Sequence, residues 1–236
     1  MEIIALGGGG FSMDENLALD RYILDQSRSS TPRVCFLPQA SGEPAAYVVR
    51  FMAAMAELGA TPTHLSLFRP PTADLASYLE EMDVIYVGGG NTRSMLALWR
   101  EWQLDGILRD VAGHGTVLAG LSAGAVCWFS QMVTDSVPGK LSVLDGLAYL
   151  EGSACPHYDS EPRRRPTFLK WVANGRIGAG YGIGDNAALH FVDGILHQAV
   201  GTTDNAVAVR VTEKDGEAVE EPLGVRVLDK HPRRFR

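Results

Sequence analysis

Along the first half of the chain, short apolar runs alternate with segments in which apolar residues recur at helical spacing. Glu2–Leu6 reads as a buried strand that runs into the tetraglycine Gly7-Gly8-Gly9-Gly10. Asp14–Gln26 reads as a helix, with Leu17, Tyr22, Ile23 and Leu24 at its apolar positions. Arg33–Leu37 is a second strand, closed by Pro38. Pro44–Glu57 is a second helix, and Leu58-Gly59 is its stop, because glycine ends a helix in the left-handed conformation at little cost. His64–Leu67 follows as a strand and Asp74–Glu81, past Pro70-Pro71, as a short helix. Val84–Val87 is a fourth strand ending in Gly88-Gly89-Gly90, with Asn91 or Thr92 capping a helix that reaches Trp102. Thr116–Ala119 is a fifth strand and Ala123–Gln131 the helix behind it.

Such alternation predicts an α/β fold, a parallel twisted sheet with helices on both faces, because parallel strands must be joined by crossovers. Beyond about Gly180 the pattern changes. His190–Phe191 and Ile195–Ala199 flank Val192-Asp193-Gly194, a hairpin signal, and Val207–Val211 forms a second hairpin with the run after Lys214-Asp215-Gly216. These C-terminal β-hairpins are expected on one edge of the sheet. No repeat, low-complexity tract or linker interrupts the chain, so residues 1–229 are expected to form a single domain and Lys230–Arg236 a frayed basic tail.

Composition narrows the function classes. At 236 residues, 46% apolar and 21% charged, the chain is long enough to bury a core without disulfides or metals. Its 28 acids outnumber its 21 bases, and the resulting net charge of -7 argues against a nucleic-acid partner. No apolar run approaches the roughly 18 residues of a membrane span. Met1–Gly7 has neither a basic region nor a cleavage site, so no signal peptide is expected. Cys35, Cys127 and Cys155 are odd in number and widely spaced, as reduced cytoplasmic thiols are. The expectation is a cytoplasmic protein, a homodimer, without a membrane partner. No His, Cys or carboxylate cluster has metal-ligand spacing, so neither metal nor cofactor is expected.

The strongest chemical signal is Gly120-Leu121-Ser122-Ala123-Gly124, the G-x-S-x-G pattern of a nucleophile elbow. Here a strand turns sharply into a helix, small neighbours let the two pack closely, and the serine hydroxyl is lifted out at the carboxyl end of the sheet. The helix behind it would offer free N–H groups and a positive dipole end. The plainer reading is a tight turn in which Ser122 caps the helix. A serine nucleophile needs a base. His114 and His64 precede or begin strands and so lie at the wrong end of the sheet, while His190 and His197 lie in the hairpin and His231 in the tail. His157, in the loop-like Ala154-Cys155-Pro156-His157-Tyr158-Asp159, is the best placed. For the carboxylate that orients the base, Asp185 in Gly182-Ile183-Gly184-Asp185-Asn186 is preferred, with Asp135, Asp159 and Glu161 as rivals.

Gly88-Gly89-Gly90-Asn91-Thr92 lets backbone approach a ligand closely, and its N–H groups could pair with that of Ala123 in an oxyanion hole. The tetraglycine is not a dinucleotide fingerprint. Ser12 stands where a glycine is needed, and Pro38-Gln39 stand where an acid is needed. Cys127 reads as a buried core thiol, and Arg163-Arg164-Arg165 as a cationic segment close after His157.

Together, Gly88–Thr92, Gly120–Ala125, Pro156-His157-Tyr158 and Gly182-Ile183-Gly184-Asp185, in this order, resemble peptidase family S51, the group of peptidase E and cyanophycinase. The resemblance runs to about Arg210. It implies a fold similar to class I glutamine amidotransferases and a serine, histidine and carboxylate in the chain order matched by Ser122, His157 and Asp185. In α/β-hydrolases the acid precedes the histidine. Peptidase E carries a glutamate as third member, one methylene longer than Asp185. Cyanophycinases carry glutamine where Pro156 stands, and they are longer, so the peptidase E branch is favoured. The resemblance implies a serine exopeptidase acting on small peptides, dipeptides above all, through an acyl-enzyme and without a cofactor. Gly89, Gly90 and Ala123 would form the oxyanion hole, and Asn91, Thr92, Arg163, Arg164 and Arg165 would bind substrate. Reading an acidic N-terminal residue such as Asp calls for an arginine, with Arg165 the first choice. Two alternatives stay open: a β-aspartyl isopeptidase or cyanophycinase-like hydrolase, and a non-catalytic amidotransferase-like protein that binds small ligands.

Overall fold

The computed structural model describes residues 1–13 and 16–230. The first half runs β1 (Glu2–Leu6), α1 (Ala18–Leu24), β2 (Arg33–Leu37), α2 (Ala45–Glu57), β3 (Thr61–His64), α3 (Leu75–Glu80), β4 (Val84–Val87), α4 (Thr92–Glu101), α5 (Leu104–Gly113), β5 (Val117–Leu121) and α6 (Ala123–Val126). The second half runs β6 (Phe129–Val137), β7 (Lys140–Asp145), β8 (Leu150–Cys155), α7 (Arg164–Ala173), β9 (Gly180–Ile183), β10 (Ala187–Val192), β11 (Ile195–Gly201), β12 (Ala208–Lys214), β13 (Glu217–Pro222) and β14 (Val225–Val227).

Eight strands form the main sheet in the order β14-β11-β10-β1-β5-β4-β2-β3. From β1 to β3 neighbouring strands are parallel, while β10 runs antiparallel to both β1 and β11. Alternate residues of these strands face opposite sides, as the pleat requires. Ile3, Ala5, Cys35, Leu37, Ile85 and Val87 pack with α3, α4 and α5 on one side. Ile4, Leu6, Val34, Phe36, Val84 and Tyr86 pack with α1 and α2 on the other. Two covered faces explain why β1, β2, β4 and β5 read as continuous apolar runs.

A second sheet of six strands, β13-β12-β9-β8-β6-β7, was not legible as such in the sequence. Phe129, Met132, Leu150, Ala154 and Tyr181 of this sheet join the core on the α3–α5 side of the main sheet, and α7 covers its other face through Phe168, Trp171 and Val172. The expected helix over Ala123–Gln131 is therefore corrected: it stops at Val126, and from Phe129 the chain is strand. The spacing of Phe129, Met132 and Val133 suits a helix face as well as a strand, and pairing with β7 and β8 decides between them. The two C-terminal hairpins form as β10–β11 and β12–β13, but only the first extends the main sheet; β12 pairs with β9 in the second. The third strand lies earlier than expected, so His64 ends β3 rather than beginning it. Pro62 fits there because β3 is an edge strand, where a missing N–H leaves no ladder bond unmade. The expected start of the first helix at Asp14 and most of the basic tail, with His231, lie outside the described residues.

Candidate active site

Ser122 stands where β5 breaks into α6, with φ 52° and ψ -113°. A non-glycine residue held in this region is strained and persists only where its surroundings over-determine it. They do so here through two glycines. A Cβ on Gly120 would lie 2.3 Å from the Gly124 carbonyl oxygen, and one on Gly124 would lie 2.3 Å from the Val87 carbonyl oxygen. The Ser122 N–H donates to the Leu6 carbonyl at 2.9 Å, tying the corner to β1. The dipole expected behind the serine is corrected: α6 has only four residues, too few for a substantial macrodipole. What remains is local, the N–H groups at the start of α6 that have no intrahelical acceptor.

His157 leaves the end of β8, also at positive φ, 51°. Asp185 lies between β9 and β10, bridged to Gly8. His157 Nε2 is 2.8 Å from Ser122 Oγ, and His157 Nδ1 is 2.7 Å from Asp185 Oδ1. A carboxylate only accepts, so the Nδ1–H donates to Asp185; the neutral ring then accepts at Nε2 from the serine hydroxyl. The side chains of His157 and Asp185 are 14% and 18% exposed, so their pairing is only weakly screened by water. The hydrogen bonds from His157 and from the Ser160 hydroxyl hold the Asp185 carboxyl below the usual carboxylate range, against the opposing effect of burial.

The rival carboxylates have other partners. Asp135 and Glu161 pair with Arg164, and Asp159 accepts the backbone N–H of Asp185 at 2.9 Å. Among the other histidines, His190 lies on β10 between Glu2 and Tyr22, opposite Ile4 of β1, which in turn pairs with Ala119, three residues before Ser122.

Three comparisons with known proteins bear on this geometry. The family model described as "Peptidase family S51" matches residues 3–199. The chain belongs to peptidase family S51. Over 228 residues, 96% of this chain and 99% of the relative, it is 53% identical to "Uncharacterized peptidase YgaJ" of Bacillus subtilis strain 168. A shorter match, 43% over 61 residues, links 25% of this chain with 28% of "Peptidase E" from Haemophilus influenzae. Among solved structures, a peptidase from an acI-B1 actinobacterium superposes with a TM-score of 0.71 at 16% identity, covering 98% of this chain and 96% of that one. A putative peptidase E protein from Listeria monocytogenes EGD-e gives a TM-score of 0.60 at 21% identity, covering 94% of this chain and 98% of that one. These two structures establish a shared mixed α/β fold.

In this S51 member the tetraglycine has a role that the sequence did not disclose. A Cβ on Gly8 would lie 2.0 Å from Asp185 Oδ1 and 2.9 Å from His157 Nδ1. A Cβ on Gly7 would lie 2.3 Å from the Ile183 and Gly184 carbonyl oxygens. The end of β1 is thus the floor beneath the histidine–aspartate pair. Its one sequence signal is a glycine run at the carboxyl end of a central parallel strand, where ligand sites form in open α/β sheets.

Ser122 and His157 line a cleft of about 300 Å³ with Gly90, Asn91 and Arg164. Gly89 faces the serine, but its N–H donates to the Tyr47 hydroxyl at 3.3 Å, which leaves Gly90 and Ala123 as the less encumbered pair of N–H groups. Asn91 caps α4 through Oδ1 and donates from Nδ2 to the Ser136 carbonyl, so it shapes the cleft wall. Thr92 is buried at the start of α4 and does not reach the cleft.

The arginines separate. Arg163 donates to the Gly139 carbonyl, and Arg165 pairs with Glu220 beside a different cavity that Tyr158 also lines. Arg164, not Arg165, borders the cleft, which corrects the first choice made from spacing. Successive helix positions point about 100° apart, so only one of the three can face one way. Burial pushes the Cys155 thiol up to about 12 and raises the Cys127 thiol well above its usual value, which leaves both as inert core thiols. Among the described residues, no His, Cys, Asp and Glu side chains group so as to hold a metal ion, and no helix is long and apolar enough to cross a membrane.

Proposed function

We propose that the protein is a serine exopeptidase that hydrolyses short peptides, dipeptides foremost, with Ser122 as nucleophile, His157 as base and Asp185 as the carboxylate that orients the base. The unbroken relay from Ser122 Oγ to His157 Nε2 at 2.8 Å, and from His157 Nδ1 to Asp185 at 2.7 Å, carries this reading.

Ser122 Oγ attacks the scissile carbonyl carbon while its proton passes to His157 Nε2. Asp185, ionised and aimed at Nδ1, stabilises the imidazolium that results. The carbonyl oxygen takes the electron pair and is met by the N–H groups of Gly90 and Ala123, fixed in place before the charge develops. Collapse of the intermediate breaks the C–N bond, and the leaving amine takes the proton from Nε2. Water then attacks the acyl carbon as its proton passes to Nε2, and that proton returns to Ser122 Oγ as the C–Oγ bond breaks and the acid product leaves. Every proton moves through one nitrogen, so no cofactor is required. The small cleft, walled by Asn91 and by the ion cluster around Arg164, favours substrates with little chain on the acyl side.

A fluorophosphonate probe followed by a panel of Xaa-Leu dipeptides and Xaa-p-nitroanilides tests the proposal. Labelling of Ser122 alone, with release of a single N-terminal residue, is the expected result. A protein that binds dipeptides but neither labels nor turns over is a non-catalytic binder. Cleavage confined to β-aspartyl bonds identifies an isopeptidase.

A further inference from the structure

Among the described residues, Arg164 is the one cation that borders the cleft, yet each of its nitrogens already has a partner. Nε donates to Glu161 at 2.7 Å, Nη1 to the Val133 carbonyl at 3.2 Å, and Nη2 lies 3.3 Å from Asp135. The residue is 2% exposed. A guanidinium held in this way has no free edge to offer an incoming carboxylate, since its donors form a rigid planar fork. Its two acidic partners differ from it. The side chains of Asp135 and Glu161 are 63% and 44% exposed, and both line the same cleft as Ser122. Two carboxylates against one guanidinium leave that wall with an excess negative charge, presented by the accessible oxygens and not by the buried cation.

The position of the charge matters because of elementary chain geometry. In a peptide cleaved after its first residue, the free α-amino nitrogen lies only about 2.5 Å from the carbonyl carbon under attack, two bonds away. Whatever surrounds Ser122 therefore also meets that amine. An α-ammonium entering the cleft finds carboxylate oxygens to accept from, whereas an aspartyl or glutamyl side chain finds a negative wall and no available arginine.

Resting on the serine-peptidase reading above, we propose that Asp135 and Glu161, held in place by Arg164, bind the free α-ammonium of the substrate and turn the cleft against acidic N-terminal residues. The substrate class is then short peptides with an unblocked amine and a neutral or basic first residue. Arg164 is a positioning residue that acts through the two carboxylates.

The test uses the full chain and four substrates: Ala-Leu, Lys-Leu, Asp-Leu and N-acetyl-Ala-Leu. Acetylation is expected to lower kcat/KM by about twenty-five-fold, the product of about fivefold effects from two partly exposed ion pairs. Ala-Leu and Lys-Leu are expected to exceed Asp-Leu by about tenfold, the effect of placing a like charge against the wall. Asp135→Asn and Glu161→Gln are each expected to raise KM for Ala-Leu about fivefold, as for a partly exposed ion pair, while kcat holds and the disfavour of Asp-Leu shrinks. Glu161→Asp, which keeps the charge, should retain the discrimination. A merely structural role for these acids would lower stability or kcat without altering the rank of the substrates. Binding to Ser122→Ala, measured by calorimetry, provides an arm that needs no catalysis: Ala-Leu binds and its acetylated form does not. If Asp-Leu is hydrolysed as well as Ala-Leu, or if both forms bind Ser122→Ala equally, the amine assignment is overturned while the nucleophile stands. If Ser122 does not label and no dipeptide is turned over, yet Ser122→Ala still prefers the free amine, the serine-peptidase reading fails and amine recognition survives.

Discussion

Ser122 sits at the end of β5, inside the eight-stranded sheet with β1 and β4 on either side, whereas His157 and Asp185 leave β8 and β9 of the six-stranded sheet. The two regions hold their residues by different means. The serine corner is fixed by exclusion: Gly120, Gly124 and the Val87 carbonyl are so close that no side chain fits between them. The histidine–aspartate pair is fixed by hydrogen bonds and by contact with the glycines of β1, through His157 N–H to Gly7, Asn186 N–H to Gly8 and Asp185 N–H to Asp159. Damage to the first region should therefore appear as lost packing, and damage to the second as lost alignment with the fold intact.

The largest effect separates chemistry from both scaffolds. Ser122→Ala deletes one oxygen and no packing, and should lower kcat by about 10⁶-fold with thermal stability unchanged, on the scale seen when a triad serine is removed. Activity within tenfold of the parent protein would remove Ser122 from the mechanism. Asp185→Asn comes next, with a loss of about 10⁴-fold because the amide favours the wrong imidazole tautomer. Asp159→Asn, one bond further from the ring, should lose far less; the reverse order would move the third role to Asp159.

The glycines probe the comparison directly. Gly8→Ala sets a methyl group against Asp185 and His157. A displacement of about 1 Å at such a pair lowers turnover by about 100-fold, and fluorophosphonate labelling should slow in parallel. Gly124→Ala sets its methyl against the Val87 carbonyl in the middle of the sheet. It should cost about 1–3 kcal/mol of stability by overpacking, visible as a lower Tm. If Gly8→Ala were the more destabilising and Gly124→Ala the more selectively inactivating, the contrast between exclusion and alignment would be wrong.

The same contrast governs what could be read without coordinates. Strands β1, β2, β4 and β5 announce themselves because both faces are buried, and a run such as Val84–Val87 has no other reading between a turn and a glycine cluster. The six-stranded sheet is harder. Its first strand has an apolar spacing that fits a helix, and β7, Lys140–Asp145, is partly exposed along its length and offers no continuous run. Motifs alone bring Ser122, His157 and Asp185 to attention, because each sits in a short, glycine- or proline-marked turn. Gly8 does not stand out in this way, since its importance comes from strands far away in sequence. Nor does the choice among Arg163, Arg164 and Arg165, which depends on the rotation of α7 about its axis between Pro162 and Pro166.

The smallest effect compares a carboxylate of the site with one of the scaffold. Asp185 is held below the ordinary carboxylate range first by His157, and Glu220 first by Arg165 and then by the Tyr158 hydroxyl. In each case the folded protein binds its proton less readily than the unfolded chain does. The stabilisation is therefore present at neutral pH and is lost as pH falls, beginning near the unfolded values of about 4 and continuing through the lower folded ones. Glu220→Gln and Asp185→Asn should each flatten the decline of stability below about pH 4, read as the pH dependence of the urea midpoint. They should differ in activity. Glu220 lines the neighbouring cavity, which meets the cleft at Glu161, and is not among the residues that line the cleft with Ser122, so Glu220→Gln should keep kcat/KM at neutral pH within about twofold. A large loss of activity in Glu220→Gln would show that Tyr158, which follows His157 in the chain and bonds Glu220 at 2.7 Å, transmits the state of that pair to the base. The alignment of the second region would then extend outward from the triad to α7 and β13.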